Sequence, residues 1–165
     1  EDEIATMVAA LSDNFKLSLN KGNNLITVKD ELDHIRAYIT IQNMRYKDKF
    51  HVQIQVEANL MEKKILKLLL TPFVENAVYH GLETKLGEGN IWITGHEEDG
   101  RMIFVVMDDG VGVDDMSKLD KGYGINNVRE RIGLYYGEKS EVTITSEAGR
   151  GTRVKIVLAE NKMRL

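Results

Sequence analysis

The chain has 165 residues, 42% of them apolar and 29% charged, with a formal net charge of −4 and no cysteine. That is enough for one soluble domain with a real core, and it excludes a disulfide framework, a thiolate metal site and any general electrostatic reason to bind nucleic acid. No apolar run reaches the roughly 18 residues of a membrane span. The first residue is Glu1 rather than methionine, so the chain is expected to be an excised piece of a longer protein, with any membrane anchor in the part removed.

In chain order, Ile4, Met7, Val8, Leu11, Phe15 and Leu19 recur at three- and four-residue steps, which predicts a helix with one apolar stripe. Lys21 to Asn24 break it. Thr27 is a candidate cap for a second helix whose stripe runs through Glu31, Leu32, Ile35, Ile39 and Tyr46, so the two form a hairpin. Their stripes must cover each other, a partner chain or the following domain. Phe50 to Glu57 alternates with a period of two and predicts a half-buried strand. Leu66, Leu69, Leu70, Phe73, Val74 and Ala77 hold one helical phase through Pro72, which predicts a kinked helix from about Glu62 to Gly81. Strands are then expected at Ile91 to His96, Met102 to Met107, Val142 to Ser146 and Thr152 to Leu158, with a helix over Ile125 to Tyr136. Strands that mostly pair with sequence neighbours, and helices left for one face, predict a two-layer α/β sandwich: a mixed, mostly antiparallel sheet of about five strands behind an α-helical hairpin.

Chemistry concentrates between Val105 and Arg131. The apolar run V-V-M-D-D-G-V-G delivers Asp108 to a loop whose Gly110 and Gly112 let backbone approach a ligand closely. Gly122 and Gly124 stand directly before the helix at Ile125, where free N–H groups and the helix dipole favour phosphate. A carboxylate beside an anion-binding backbone points to a nucleotide. Neither G-x-x-x-x-G-K-[ST] nor a strand-following G-x-G-x-x-G is present, so the phosphate loop belongs to another design. Upstream, Asn76 and His80 lie four apart and share a helix face. A neutral amide oxygen suits the oxygen shell of Mg²⁺, and His80 can donate to a phosphate oxygen.

Asn76, M-D-D-G-V-G at 107 to 112, G-Y-G-I-N-N at 122 to 127 and G-R-G-T at 149 to 152 resemble, in order and placement, the Bergerat-type ATPase superfamily. Within it the chain looks most like the catalytic part of LytS/YesM-type sensor histidine kinases. That resemblance rests on L-L-L-T-P-F-V-E-N-A-V-Y-H-G, on G-I-N-N-V-R-E-R-I and on E-L-D-H-I-R-A-Y-I-T-I-Q-N-M-R-Y.

The resemblance implies a helical remnant of the dimerisation and phosphoacceptor region at 1–48 and an ATP-binding catalytic domain at 49–165. It implies that Asp108 accepts from the adenine amino group, with Gly112 shaping the pocket, Gly110 in the same turn, and Thr152 supporting the carboxylate through water. Asn76 would ligate Mg²⁺. Gly122 and Gly124, with the amides from Ile125 to Asn127, would cradle the phosphates of ATP beneath a lid at Val113 to Lys121, and His80 would sit beside them. Arg129 and Arg131 are expected either to reach the γ-phosphate or to pair with acids on their own helix.

Several positions depart from the family pattern. Asp109 stands where many relatives carry Asn, and Tyr79 where Lys is common. Pro72 occupies the place, four before Asn76, where other classes put Asn or a catalytic Glu. Glu75, about 100° round the helix from Asn76, is the one candidate base, with a structural role set against it. The acceptor segment P-H-F-L-F-N is absent from the sequence. His34 is expected to be an ordinary helix-surface histidine, and His51 and His96 to be exposed. The fragment is therefore expected not to phosphorylate itself, its acceptor histidine helix lying elsewhere in the same or a sister chain. A response regulator would act downstream, and the whole protein would be a homodimer anchored in a bacterial inner membrane with this part in the cytoplasm. The alternative is a nucleotide-binding regulatory module without phosphotransfer. A gyrase- or MutL-like clamp is disfavoured by Pro72 and by only 14 positions between Asp108 and Gly122.

Overall fold

The structure, a computed structural model, describes residues 2–18, 24–120 and 123–159. Helix α1 (Asp2–Ser18) packs on α2 (Val28–Tyr46). The Thr27 hydroxyl accepts the Asp30 N–H at 3.0 Å and opens α2 as the sequence predicts, while Lys47 closes it in the left-handed conformation. The stripes of the two helices have different fates. Ala10 is buried, but Ile4, Met7, Val8 and Leu11 stay exposed, whereas Val28, Leu32, Ile35 and Ile39 of α2 enter the main core. The predicted end of the first helix at Leu19 lies outside the described residues.

Strand β1 (Leu25–Thr27) precedes α2, and β2 (Phe50–Val56) follows it. Next come a 3-10 turn at Ala58–Leu60, β3 (Lys64–Leu66), α3 (Thr71–Asn76) and a π-helical turn over Ala77–Leu82. The chain continues through β4 (Gly89–Glu98), β5 (Arg101–Asp108), α4 (Ser117–Asp120), α5 (Tyr123–Tyr136), β6 (Glu141–Glu147) and β7 (Gly151–Leu158). Five strands form one sheet in the order β2-β4-β5-β7-β6, with β2 parallel to β4 and every other pair antiparallel. Burial alternates along β2, β4 and β6, so one face of the sheet meets the helices and the other is more open. The result is the expected two-layer α/β sandwich.

The core joins α2 (Leu32, Ile35) to the sheet (Phe50, Ile91, Phe104) and to α3 and α5 (Phe73, Ile132), so packing runs continuously across residues 48 and 49. Each fully buried side chain of this size contributes roughly 1.5–3 kcal/mol by leaving water.

The kinked helix expected from Glu62 to Gly81 does not form. Lys64–Leu66 instead pairs antiparallel with Leu25–Thr27, a partner some forty positions away that local periodicity cannot reveal. Leu66, Leu69, Leu70, Phe73, Val74 and Ala77 are all buried, as their phase implies, but only the last three are in helix or helical turn. Pro72 falls in the first turn of α3, where a missing N–H costs nothing, so it starts a helix rather than bending one.

Candidate active site

The site is built around Asp108, the last residue of β5 and opposite Thr152 of β7. Its side chain is buried, and its Oδ1 accepts the Gly110 N–H at 2.9 Å. Two of the surrounding glycines leave no room for a side chain. Gly112, at φ +63°, lies against the Glu147 carbonyl, and Gly151, at φ +90°, lies against the Asp108 carbonyl. A side chain at Gly110 would likewise run into the Gly81 backbone. Desolvation pushes the Asp108 carboxyl up to about 6, against the opposing pull of the Gly110 and Thr152 backbone N–H groups.

Ser146, which sequence reasoning missed, ties this corner together. Its hydroxyl donates to the Gly151 carbonyl at 3.0 Å, accepts the Val113 N–H at 3.0 Å and lies 2.8 Å from the Thr152 hydroxyl. The Thr152 hydroxyl is therefore engaged with Ser146, while its backbone N–H meets Asp108. Asp109 is a latch rather than a simple turn residue. It accepts the backbone and side-chain N–H groups of Asn90 at 2.8 Å each and pairs with Lys85 at 3.0 Å. Burial raises its carboxyl, but the Asn90 hydrogen bonds and Lys85 outweigh that and hold it below the usual range.

The other wall comes from α3 and the π-helical turn after it. Asn76 is half-buried and His80 exposed, four residues apart across the junction where the helix widens. Gly81 sits inside the turn, and its carbonyl accepts the Val111 N–H at 2.8 Å. A Cβ there would stand 2.8 Å from Asp108 Oδ1. Gly81 is thus a pocket residue legible only in three dimensions.

These walls enclose a cleft of about 430 Å³, including space open to solvent, into which Asn76, His80, Asp108, Gly112 and Thr152 converge from three separate segments. Phe73, Val106, Leu119 and Val154 give it an apolar floor, which suits a flat ring system. Leu119 belongs to α4, a short helix in the expected lid that periodicity did not reveal. Gly110 supports the cleft through Asp108 without lining it. Glu75 is exposed and lies outside the cleft wall.

Gly124, Ile125 and Asn127 stand at the start of α5, and the Gly124 Cα faces Pro72 of α3. Ile125 is buried in the core and Asn127 is exposed. Gly122 lies outside the described residues. Arg131 follows neither course expected of it: it donates to the carbonyls of Lys67 and Leu68 at 2.5 and 3.4 Å. His34 is not a surface residue. It is 8% exposed, and its Nδ1 has no hydrogen-bond partner; burial, then the Lys67 charge, hold its imidazole below the usual range. His51 and His96 are about half exposed and face Glu88 and Glu98.

The donor set fits a purine nucleotide. A buried acid in the cleft wall can take an exocyclic amino group, and the apolar floor suits a ring. Among the described residues no group of three or more His, Cys, Asp or Glu side chains is placed to hold a metal. The single amide of Asn76 suits a cation whose oxygen shell is shared with phosphate. Among the same residues no helix is long and apolar enough to cross a membrane.

Residues 1–50 match the family model described as histidine kinase. The chain is 31% identical over 96% of its length to sensor histidine kinase YesM of Bacillus subtilis, and 26% identical over 95% to sensor histidine kinase BtsS of Escherichia coli. It spans about 28% of the length of each of these relatives. Its fold is similar to that of the histidine kinase domain of a blue-light-activated kinase from Erythrobacter litoralis. The TM-score is 0.59 at 19% identity, covering 96% of this chain and 75% of that one. Residues 61–162 match the model described as histidine kinase-, DNA gyrase B- and HSP90-like ATPase, a stretch that takes in Asn76, Asp108 and Thr152 together. Since that match covers more than half of the chain and contains the whole cleft, the protein belongs to this ATPase family.

Proposed function

We propose that the chain is the ATP-binding catalytic part of a two-component sensor histidine kinase. In this reading residues 1–48 are the remnant of its dimerisation region and 49–165 its catalytic domain. The carrying observation is the buried Asp108 carboxylate, which opens onto the same cleft as Asn76, His80 and Thr152. Mg-ATP, when bound, supplies the γ-phosphoryl group and a cation that neutralises phosphate charge. Asp108 accepts the adenine amino group, Gly81 leaves room beside that carboxylate, and Gly112 shapes the pocket. Asn76 offers its amide oxygen to the cation, and His80 donates to phosphate at the cleft mouth. Gly122 and Gly124, with the amides from Ile125 to Asn127 near the start of α5, hold the phosphates. Most of the acceleration would come from positioning and charge stabilisation.

The acceptor is a histidine on a helix outside this chain, in the same or a sister protein, and a response regulator receives the phosphoryl group next. The intact protein is a membrane-anchored homodimer with this part in the cytoplasm. The test is to supply a histidine-bearing acceptor domain with the chain and ATP labelled at the γ-phosphate. Label appearing on the acceptor supports the reading; ATP binding without transfer to any acceptor argues for the second one.

That second reading, a nucleotide-binding regulatory module, is favoured by one observation: Glu75, the candidate base, faces solvent outside the cleft. It expects ATP affinity with no transfer.

A further inference from the structure

The four-residue approach to α3 is gripped from two sides by groups that touch no part of the cleft. Glu31 of α2 is wholly buried, and its carboxylate accepts four hydrogen bonds: from the N–H groups of Leu68 and Leu70 at 2.9 Å, and from the Thr71 N–H and hydroxyl at 3.0 Å. Arg131 of α5 holds the opposite side of the same turn through the carbonyls of Lys67 and Leu68. Between these grips Leu68 adopts φ +56°, a left-handed conformation that a branched side chain keeps only when its surroundings impose it.

The chain leading into this turn is also tied to the start of α2 and the segment before it. The Val28 and Lys29 N–H groups donate to the Lys63 and Met61 carbonyls, and the Lys67 N–H donates to the Asn24 carbonyl. On its far side the turn becomes α3 without a break. Leu70, the residue before α3, has no side-chain cap of its own, so Glu31 supplies the cap from another element. Asn76 ends that helix, and Gly124 of α5 packs beside its Pro72.

We infer that the Lys67–Thr71 turn is the joint through which α2 and α5 set the nucleotide cleft, with Glu31 and Arg131 as its two positioning residues. Because α2 is locked into the same core as the sheet, Glu31 fixes the start of α3, and hence Asn76, relative to Asp108, and loosening that grip frees α3 to shift. The inference rests on the proposed role of Asn76 toward Mg²⁺. It adds a way in which α2 and α5 govern that role, and a reason why a fully buried acid lies in the apolar stripe of α2.

The experiment measures ATP affinity of this chain by calorimetry, in Mg²⁺ and in EDTA, for wild type, Glu31→Gln, Asn76→Ala and the double variant. Gln keeps one acceptor but turns an amide donor toward the Leu68 N–H. Glu31→Gln is expected to lower the Mg²⁺-dependent gain in affinity by about tenfold, the scale of a displaced ligand support, with EDTA affinity within about twofold of wild type. In the Asn76→Ala background it should add no further loss. A purely structural defect would instead weaken binding equally with and without Mg²⁺, or in both backgrounds, and either result overturns the inference. So does an unchanged Mg²⁺ gain in Glu31→Gln. Where Glu31→Gln fails to fold, Arg131→Met removes the grip from the half-exposed side. The same split, about threefold, supports the inference, and its absence overturns it. A wild-type chain that binds ATP equally with and without Mg²⁺ removes the proposed role of Asn76 and this inference together. A wild-type gain that the variants retain removes this inference alone.

Discussion

Among the described residues two acids are buried, Glu31 and Asp108, and their surroundings differ. Glu31 receives four donors within 3.0 Å from one turn of chain and opens onto no cleft. Asp108 is met by two backbone N–H groups and lines a space walled by glycine and apolar side chains. Burial pushes both carboxyls up, and in both cases the hydrogen bonds pull the other way. A carboxylate with a full complement of donors is a structural fastening. One left short of donors beside a cleft is waiting for a ligand to complete it.

The comparison is broken most directly by removing each acid. Glu31→Leu leaves three backbone N–H groups without their acceptor and should lower stability by roughly 3 kcal/mol or more, read by urea denaturation. An unchanged midpoint would mean that the turn does not need Glu31.

Asp108→Asn should act in the opposite sense. It should weaken ATP binding about 100-fold or more, because the amide cannot serve the adenine amino group as the carboxylate does. Yet it should stabilise the ligand-free fold at pH 7.5 by about 1–3 kcal/mol. The sign follows from the raised value of about 6 against 3.8. Folding favours the protonated acid, so this group's contribution is present in full below 3.8 and is lost as pH rises through about 6. A variant less stable than wild type at pH 7.5 and no different at pH 4 would contradict it.

Titration sharpens the same contrast. Because adenine needs the ionised form of Asp108, ATP affinity should fall by about tenfold per pH unit below the apparent value near 6, and Asp108→Asn should lack that slope. A flat profile between pH 5 and 7 in wild type would count against the assignment. The smallest effect is expected of Thr152→Val, which removes the hydroxyl partner of Ser146. A loss of about 1 kcal/mol in stability, with ATP affinity changed less than about threefold, would place that hydroxyl in the wall rather than on the ligand.

Much of this was open to reading from the chain alone. The alternation of β2, the apolar run ending in Asp108, the Thr27 cap and the buried phase from Leu66 to Ala77 all arise from neighbouring residues, and the structure keeps each of them. Glu31 is legible in the sequence as a charge in an apolar stripe: it shares the face of Ile35 and Ile39, where a charge has to be fastened. Arg131, Ser146 and Gly81 gave none, since their partners lie on other elements.

Local periodicity thus determined which residues are apolar-faced, where the chain turns and which acid ends a strand, because these depend on spacings within a few residues. Tertiary structure alone decided that Leu66 is strand rather than helix, that His34 is buried, and that Glu31 and Arg131 meet on one turn. It also decided that Asn76 and Asp108 face one cleft. Each of these depends on contacts between segments far apart in the chain, whose geometry is set by packing and sheet register and leaves no trace in the spacing of residues along any one segment.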